Sequence, residues 1–171
     1  MLYLSLVLAF VASILLTPVV KALAFKVGAV DRPNYRKVHA RIIPRLGGLA
    51  IFGSFLVGYF VLRPEDSTAL YIVLGAVMII ITGVLDDMFE ITAKAKLLGQ
   101  FIAAGIVIYG GLQIDFINLP FGGQLDFGYF SIPLTILWIV GITNAINLID
   151  GLDGLAAGVS TIALVTLAGM A

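Results

Sequence analysis

Read for polarity alone, the chain alternates long runs without a charged residue and short intervals that hold every charge. Six charge-free runs occupy positions 1–20, 46–62, 67–85, 97–114, 127–149 and 154–171. A membrane-spanning helix needs about 20 consecutive apolar residues, with a range of roughly 17–25, so each run has the length of one span. A transmembrane barrel would show segments of about 10 residues with alternating polarity, which these runs do not. The pattern predicts an all-α, polytopic membrane helical bundle with six spans, one integral membrane domain over 1–171. One interval reads differently. Between 113 and 127, Ile114, Phe116 and Leu119 alternate with other residues, and Gly122-Gly123 follows. That spacing predicts a small β-hairpin on the outer face.

Composition supports the membrane assignment. The 171 residues are 61% hydrophobic and 12% charged, with mean hydropathy +1.12. Soluble domains average roughly 45–50% apolar and about 25% charged. So few charges cannot cover a water-facing surface, which excludes a soluble globular domain, a disordered chain and a nucleic-acid binder with a broad basic face. There are no cysteines, so disulfides, thiolate nucleophiles and zinc–thiolate or iron–sulfur centres are excluded.

Charge placement sets the sidedness. With six consecutive spans, Lys21, Lys26, Arg32, Arg36, Lys37, Arg41, Arg45, Lys94 and Lys96 fall on one side, leaving only Arg63 on the other. The positive-inside rule makes the first side cytoplasmic and starts Met1 outside. The first run is no signal peptide, because its cations follow the apolar core instead of preceding it. The last run reaches Ala171 with no polar flank, the expectation being an N-terminal fragment of a longer protein.

Three clusters carry candidate chemistry, all on the cytoplasmic side. Asp86-Asp87, with Glu90 close behind, follows the third run. Adjacent carboxylates repel, and a hard divalent cation such as Mg²⁺ relieves that repulsion; read alone, the pair fits a solvated acidic turn equally well. Asn144, Asn147, Asp150 and Asp153 form the second cluster. Asn144 and Asn147 share a helix face by their spacing, while Gly151 and Gly154 predict unwinding into a turn. The calcium-loop pattern is absent. The third cluster is the basic loop from Asp31 to Gly48, with Arg41 and Arg45. It reads either as positive-inside charge or as a rim for phosphate groups. His39, the sole histidine, is given no catalytic role. Lys94 and Lys96 precede the fourth run. Carboxylates, amides and lysines returning to one face suit a metal–diphosphate substrate, for which positioning and charge neutralisation dominate catalysis.

Asp31-Arg32-Pro33-Asn34, Arg36-Lys37-Val38-His39, Ile43-Pro44-Arg45-Leu46-Gly47-Gly48, Leu85-Asp86-Asp87, and Asn144-Ala145-Ile146-Asn147 with Asp150-Gly151-Leu152-Asp153-Gly154 resemble the polyprenyl-phosphate N-acetylhexosamine-1-phosphate transferases. The resemblance runs along nearly the whole chain. It implies a multi-pass enzyme of the bacterial plasma membrane that moves a sugar phosphate from a UDP-sugar to undecaprenyl phosphate and releases UMP. It implies Asp86 and Asp87 as catalytic residues and Asn147 as a metal ligand. Asp150 and Asp153 would contact the nucleotide-sugar with Asn144 on the substrate side, Lys96 the diphosphate, and Arg41 and Arg45 the nucleotide. The implied cofactor is Mg²⁺, with Mn²⁺ as a substitute. The implied partners are the two substrates and the bilayer, with no nucleic acid and homodimerisation left open. The family also uses a metal-binding aspartate and a histidine motif in later loops; without them the fragment is expected to be inactive alone.

The form of the basic loop favours the UDP-N-acetylglucosamine branch, which starts teichoic-acid or O-antigen-type polymers. The alternatives are the phospho-N-acetylmuramoyl-pentapeptide branch of peptidoglycan synthesis, a membrane prenyltransferase and, outside enzymes, a cation-coupled transporter. The prenyltransferase needs a second Asp-rich motif, which the Gly-flanked Asp150 and Asp153 match poorly. The transporter needs carboxylates near mid-membrane, whereas these cluster at one face.

Overall fold

The computed structural model describes residues 1–31, 42–120, 122–150 and 154–170. Six α-helices run in the order α1 (Leu2–Val27), α2 (Gly47–Leu62), α3 (Ser67–Phe89), α4 (Ala93–Tyr109), α5 (Ser131–Ile149) and α6 (Leu155–Met170). Each overlaps one of the six runs, and the segments Leu2–Val27, Ser67–Phe89 and Gly128–Ile149 are long and apolar enough to cross a membrane. Helices α2 and α6 are shorter apolar helices. The chain divides into two compact units, Met1–Leu112 and Gln113–Ala171.

In the first unit α1 packs along α2 and α3 along α4. The α3–α4 seam shows why the two helices lie so close. A Cβ placed on Gly99 would collide with the Thr82 side chain, and one on Gly75 would come 2.6 Å from Val107 and 3.2 Å from the Ala103 carbonyl oxygen. Small residues let backbones approach, which drives helix association in lipid, where no hydrophobic force pulls helices together. At the far end of the seam Tyr71 and Tyr109 meet edge to face with centroids 5.8 Å apart.

Two helix ends differ from the sequence expectation. Helix α3 continues past 85 to Phe89, so Asp86 and Asp87 lie within its last turns and not in a turn after it. Helix α4 starts at Ala93, so Lys94 and Lys96 lie in its first turn and not ahead of it. Hydropathy marks where charge begins. A helix stops only where its backbone bonds are capped, here by Glu90 in a left-handed conformation (φ 49°) and by the Thr92 hydroxyl accepting from the Ala95 N–H.

Among the described residues there are also two short antiparallel ladders and a 3₁₀ turn at Gly128–Phe130. Val30–Asp31 (β1) pairs with Ile43–Pro44 (β2), Val30 opposite Pro44 and Asp31 opposite Ile43. The sequence does not show this ladder, since two-residue strands carry no periodicity. It sits beside a small buried cluster of Ala24, Ala29 and Leu46, against which Val20, Leu49 and Val84 pack. In the second unit Phe116–Asn118 (β3) pairs with Gln124–Asp126 (β4), which is the expected hairpin. Gly122 and Gly123 both sit at positive φ, 89° and 98°, a conformation glycine adopts without steric cost.

Candidate active site

The α3–α4 connection builds its site from two helix ends. Along the seam Thr82 lies against Gly99, and one turn further the Lys96 ammonium reaches the Asp86 carboxylate, Nζ to Oδ2 at 2.6 Å. Both side chains are about three-quarters buried, at 31% and 23% exposure. Acids at a helix C-terminus and bases at an N-terminus both oppose the helix dipole. Joining the two ends brings the misplaced charges together. Asp87 is half-buried next to Asp86. Consecutive helical residues point about 100° apart, so Asp86 faces α4 and Asp87 faces elsewhere. Lys94 is exposed.

Glu90 caps α3, its N–H bonding to the Asp86 carbonyl oxygen at 2.8 Å. Left-handed backbone costs roughly 1–2 kcal/mol in a residue with a Cβ, and glycine is usual at this place. The Glu90 side chain has a use there. Its carboxylate receives the Arg45 guanidinium at 3.4 Å, while the other Arg45 nitrogen donates to Asp31 at 3.0 Å. Arg45 thereby links β1, the start of α2 and the end of α3. The sequence singles out neither Asp31 nor Glu90 as a partner of Arg45, although a charged residue at a helix end ordinarily closed by glycine is a usable signal.

The second unit holds the amide cluster. Helix α5 persists through both Asn144 and Asn147, so they share a face as the spacing requires. Asn144 donates to the Val140 carbonyl oxygen at 2.8 Å. Asn147 and Asp150 are exposed, and among the described residues neither has a side-chain partner. The helix ends at Ile149, with Asp150 as its cap, and Gly154 takes φ 76° before α6 begins. Arg41, His39 and Asp153 lie outside the described residues. The structure thus brings Asp86 to Lys96 and Arg45 to Asp31 and Glu90, and it places Asn144, Asn147 and Asp150 along one helix end.

Among the described residues no three His, Cys, Asp or Glu side chains gather as a metal cage. In the first unit the adjacent carboxylates of Asp86 and Asp87 are hard oxygen donors, the kind Mg²⁺ takes when one or two carboxylates hold it and phosphate and water complete its shell. The residues therefore fit such an ion.

Apolar helices, three of them in segments of spanning length, define a polytopic membrane protein. Residues 69–171 match the model of Glycosyl transferase family 4, and the chain belongs to that family. It is 49% identical to a probable undecaprenyl-phosphate N-acetylglucosaminyl 1-phosphate transferase of Bacillus subtilis (strain 168), over 96% of this chain and 48% of the relative. It is 33% identical to the undecaprenyl-phosphate alpha-N-acetylglucosaminyl 1-phosphate transferase of Escherichia coli O157:H7, over 83% and 39%. For the Yersinia pestis protein of that name the figures are 29%, 92% and 44%. The chain spans about half the length or less of these curated relatives. No solved structure matches.

Proposed function

We propose that this chain forms part of an enzyme transferring N-acetylglucosamine 1-phosphate from UDP-N-acetylglucosamine to undecaprenyl phosphate at the cytoplasmic membrane face. The single observation that carries this is the largely buried Asp86–Lys96 pair, with Asp87 beside it, held where two helices of a membrane protein meet; the names of the similar proteins supply the substrates. An oxygen of the lipid phosphate attacks the sugar-bearing phosphorus of the UDP-sugar. The new P–O bond forms as the bond to the bridging oxygen breaks, and UMP leaves with that oxygen. Lys96 neutralises diphosphate charge, and Asp86 holds the lysine in place for it. Asn147 is assigned to Mg²⁺, which when bound would supply charge neutralisation on the phosphate oxygens, and Asp87 is kept with Asp86 as a catalytic carboxylate. Asn144, Asp150, Asp153, Arg41 and Arg45 are assigned to the nucleotide-sugar. Met1 then starts outside, and the product begins an envelope polysaccharide of teichoic-acid or O-antigen type.

The test is UMP release by the full-length protein in detergent, given UDP-N-acetylglucosamine, undecaprenyl phosphate and Mg²⁺. The expected result is release that requires all three and falls about 10²-fold or more in Asp86→Asn. A wild-type protein that releases no UMP under these conditions overturns the reading. Release only from the muramoyl-pentapeptide nucleotide moves the protein to the peptidoglycan branch.

A further inference from the structure

The hairpin at the opposite end of α5 from the amide cluster plays no part in that chemistry, yet its two faces differ in kind. Pairing sets Ile117 opposite Leu125, Phe116 opposite Asp126 and Asn118 opposite Gln124. Side chains alternate between faces along a strand, so Ile117, Leu119 and Leu125 line one face and Asn118, Gln124 and Asp126 the other, with Phe116 the exception on the polar side. The three apolar side chains are nonetheless 44–48% exposed.

The hairpin is also pinned. The Ile114 N–H donates to the Thr135 hydroxyl at 2.8 Å, and that hydroxyl donates to the Ser131 carbonyl oxygen one turn back. At the base of the hairpin the Phe127 N–H donates to the Asp115 carbonyl oxygen at 2.8 Å. The first bond ties the start of the hairpin to the first turns of α5, and the last closes its base. Next in sequence come Tyr129 and Phe130, exposed aromatics at the start of the span-length segment Gly128–Ile149, of the kind that settles at the headgroup level.

We infer that the face formed by Ile117, Leu119 and Leu125 is a phospholipid-docking surface that rests on the bilayer at the headgroup–acyl boundary. Continuity with the lipid-crossing α5 puts bilayer within reach. The outer edges of a two-stranded ladder carry unpaired backbone groups, which excludes the hydrocarbon interior. The amide and carboxylate side chains on the opposite face require water. The 19-residue α5 is about 28 Å long at ~1.5 Å per residue, close to the hydrocarbon thickness of about 30 Å. Fixing its outer end therefore fixes the depth of Asn147 and Asp150 at its inner end.

The experiment uses the absence of native cysteine from this chain. Nitroxide labels are placed one at a time on Ile117→Cys, Leu125→Cys, Asn118→Cys and Gln124→Cys of the full-length protein in phosphatidylethanolamine–phosphatidylglycerol vesicles. Collision with oxygen, which concentrates in lipid, is compared with collision with a polar nickel complex. The expected result is an oxygen-to-nickel ratio severalfold higher at 117 and 125 than at 118 and 124. Equal nickel collision at all four positions overturns the inference in favour of a solvated hairpin. Labels at 117 and 125 that meet neither reagent overturn it in favour of a protein cover. The labels at 118 and 124 report whether the hairpin has formed, and the readout is independent of UMP release.

Discussion

The α3–α4 junction and the C-terminal end of α5 both carry polar chemistry at the edge of an apolar helix, but they satisfy it in opposite ways. At the junction most of the described charges have a protein partner: Asp86 has Lys96, and Arg45 has Asp31 and Glu90. On α5 Asn144 turns back on its own helix, to Val140, while Asn147 and Asp150 stand exposed and without a side-chain partner among the described residues. Polar groups near hydrocarbon are expensive. The junction offsets that cost internally, and the α5 end leaves it to water or a ligand. The first region is preorganised by the protein, and the second is available for binding.

The sharpest break in this contrast is between Asn147→Ala and Lys96→Met. Among the described residues Asn147 makes no side-chain bond, so Asn147→Ala is expected to leave thermal stability unchanged while lowering transfer about 10²-fold, the scale for losing one positioned polar group. Lys96→Met strands the Asp86 carboxylate, so it should lower both the midpoint of thermal unfolding and the rate. Paired melting curves and UMP-release rates check this. Equal stability losses in the two variants would show that Asn147 is also held by the protein.

Much of this was readable from polarity. Charge-free runs located all six helices because lipid imposes length and apolarity on a span. Gly122-Gly123 announced the hairpin because few residues other than glycine accept those backbone angles. The helix ends at 89 and 93 were not readable, since Asp86, Asp87, Lys94 and Lys96 look like loop residues until the two ends are joined and their charges pair. The Arg45 bridge was hidden for a different reason: Asp31, Arg45 and Glu90 are distant in sequence and meet only through packing.

Close approach of α3 and α4 is what allows the junction to pair its charges, and Gly99 tests that. A Cβ there meets Thr82, whereas one at Gly105 on the same helix meets nothing within 4 Å. Gly99→Val should lose about 1–3 kcal/mol through overpacking, with activity falling as the Asp86–Lys96 distance grows. Gly105→Ala should be neutral or gain about 0.5–1 kcal/mol from helix propensity. Denaturation of both variants in the same detergent measures the difference, and equal loss at the two sites would mean the seam is not tightly packed.

The smallest expected effect lies at the opposite end of α3, where the same helix is closed by one carboxylate. Asp66 caps α3 by accepting the Thr68 N–H at 2.9 Å. That backbone bond, helped by the Thr68 side chain, holds the Asp66 carboxyl below its ordinary value of 3.8. A carboxyl lowered in the fold stabilises it at pH above the unfolded value, and the contribution disappears as pH falls through the lower folded value. Asparagine caps helices about as well as aspartate, so Asp66→Asn should match wild type near neutrality and lose less stability on acidification. Thermal midpoints followed from about pH 6 down to about pH 3 test this, and parallel curves for the two proteins would mean the charge at α3's N-terminal end, unlike the pair at its C-terminal end, contributes nothing to holding the helix.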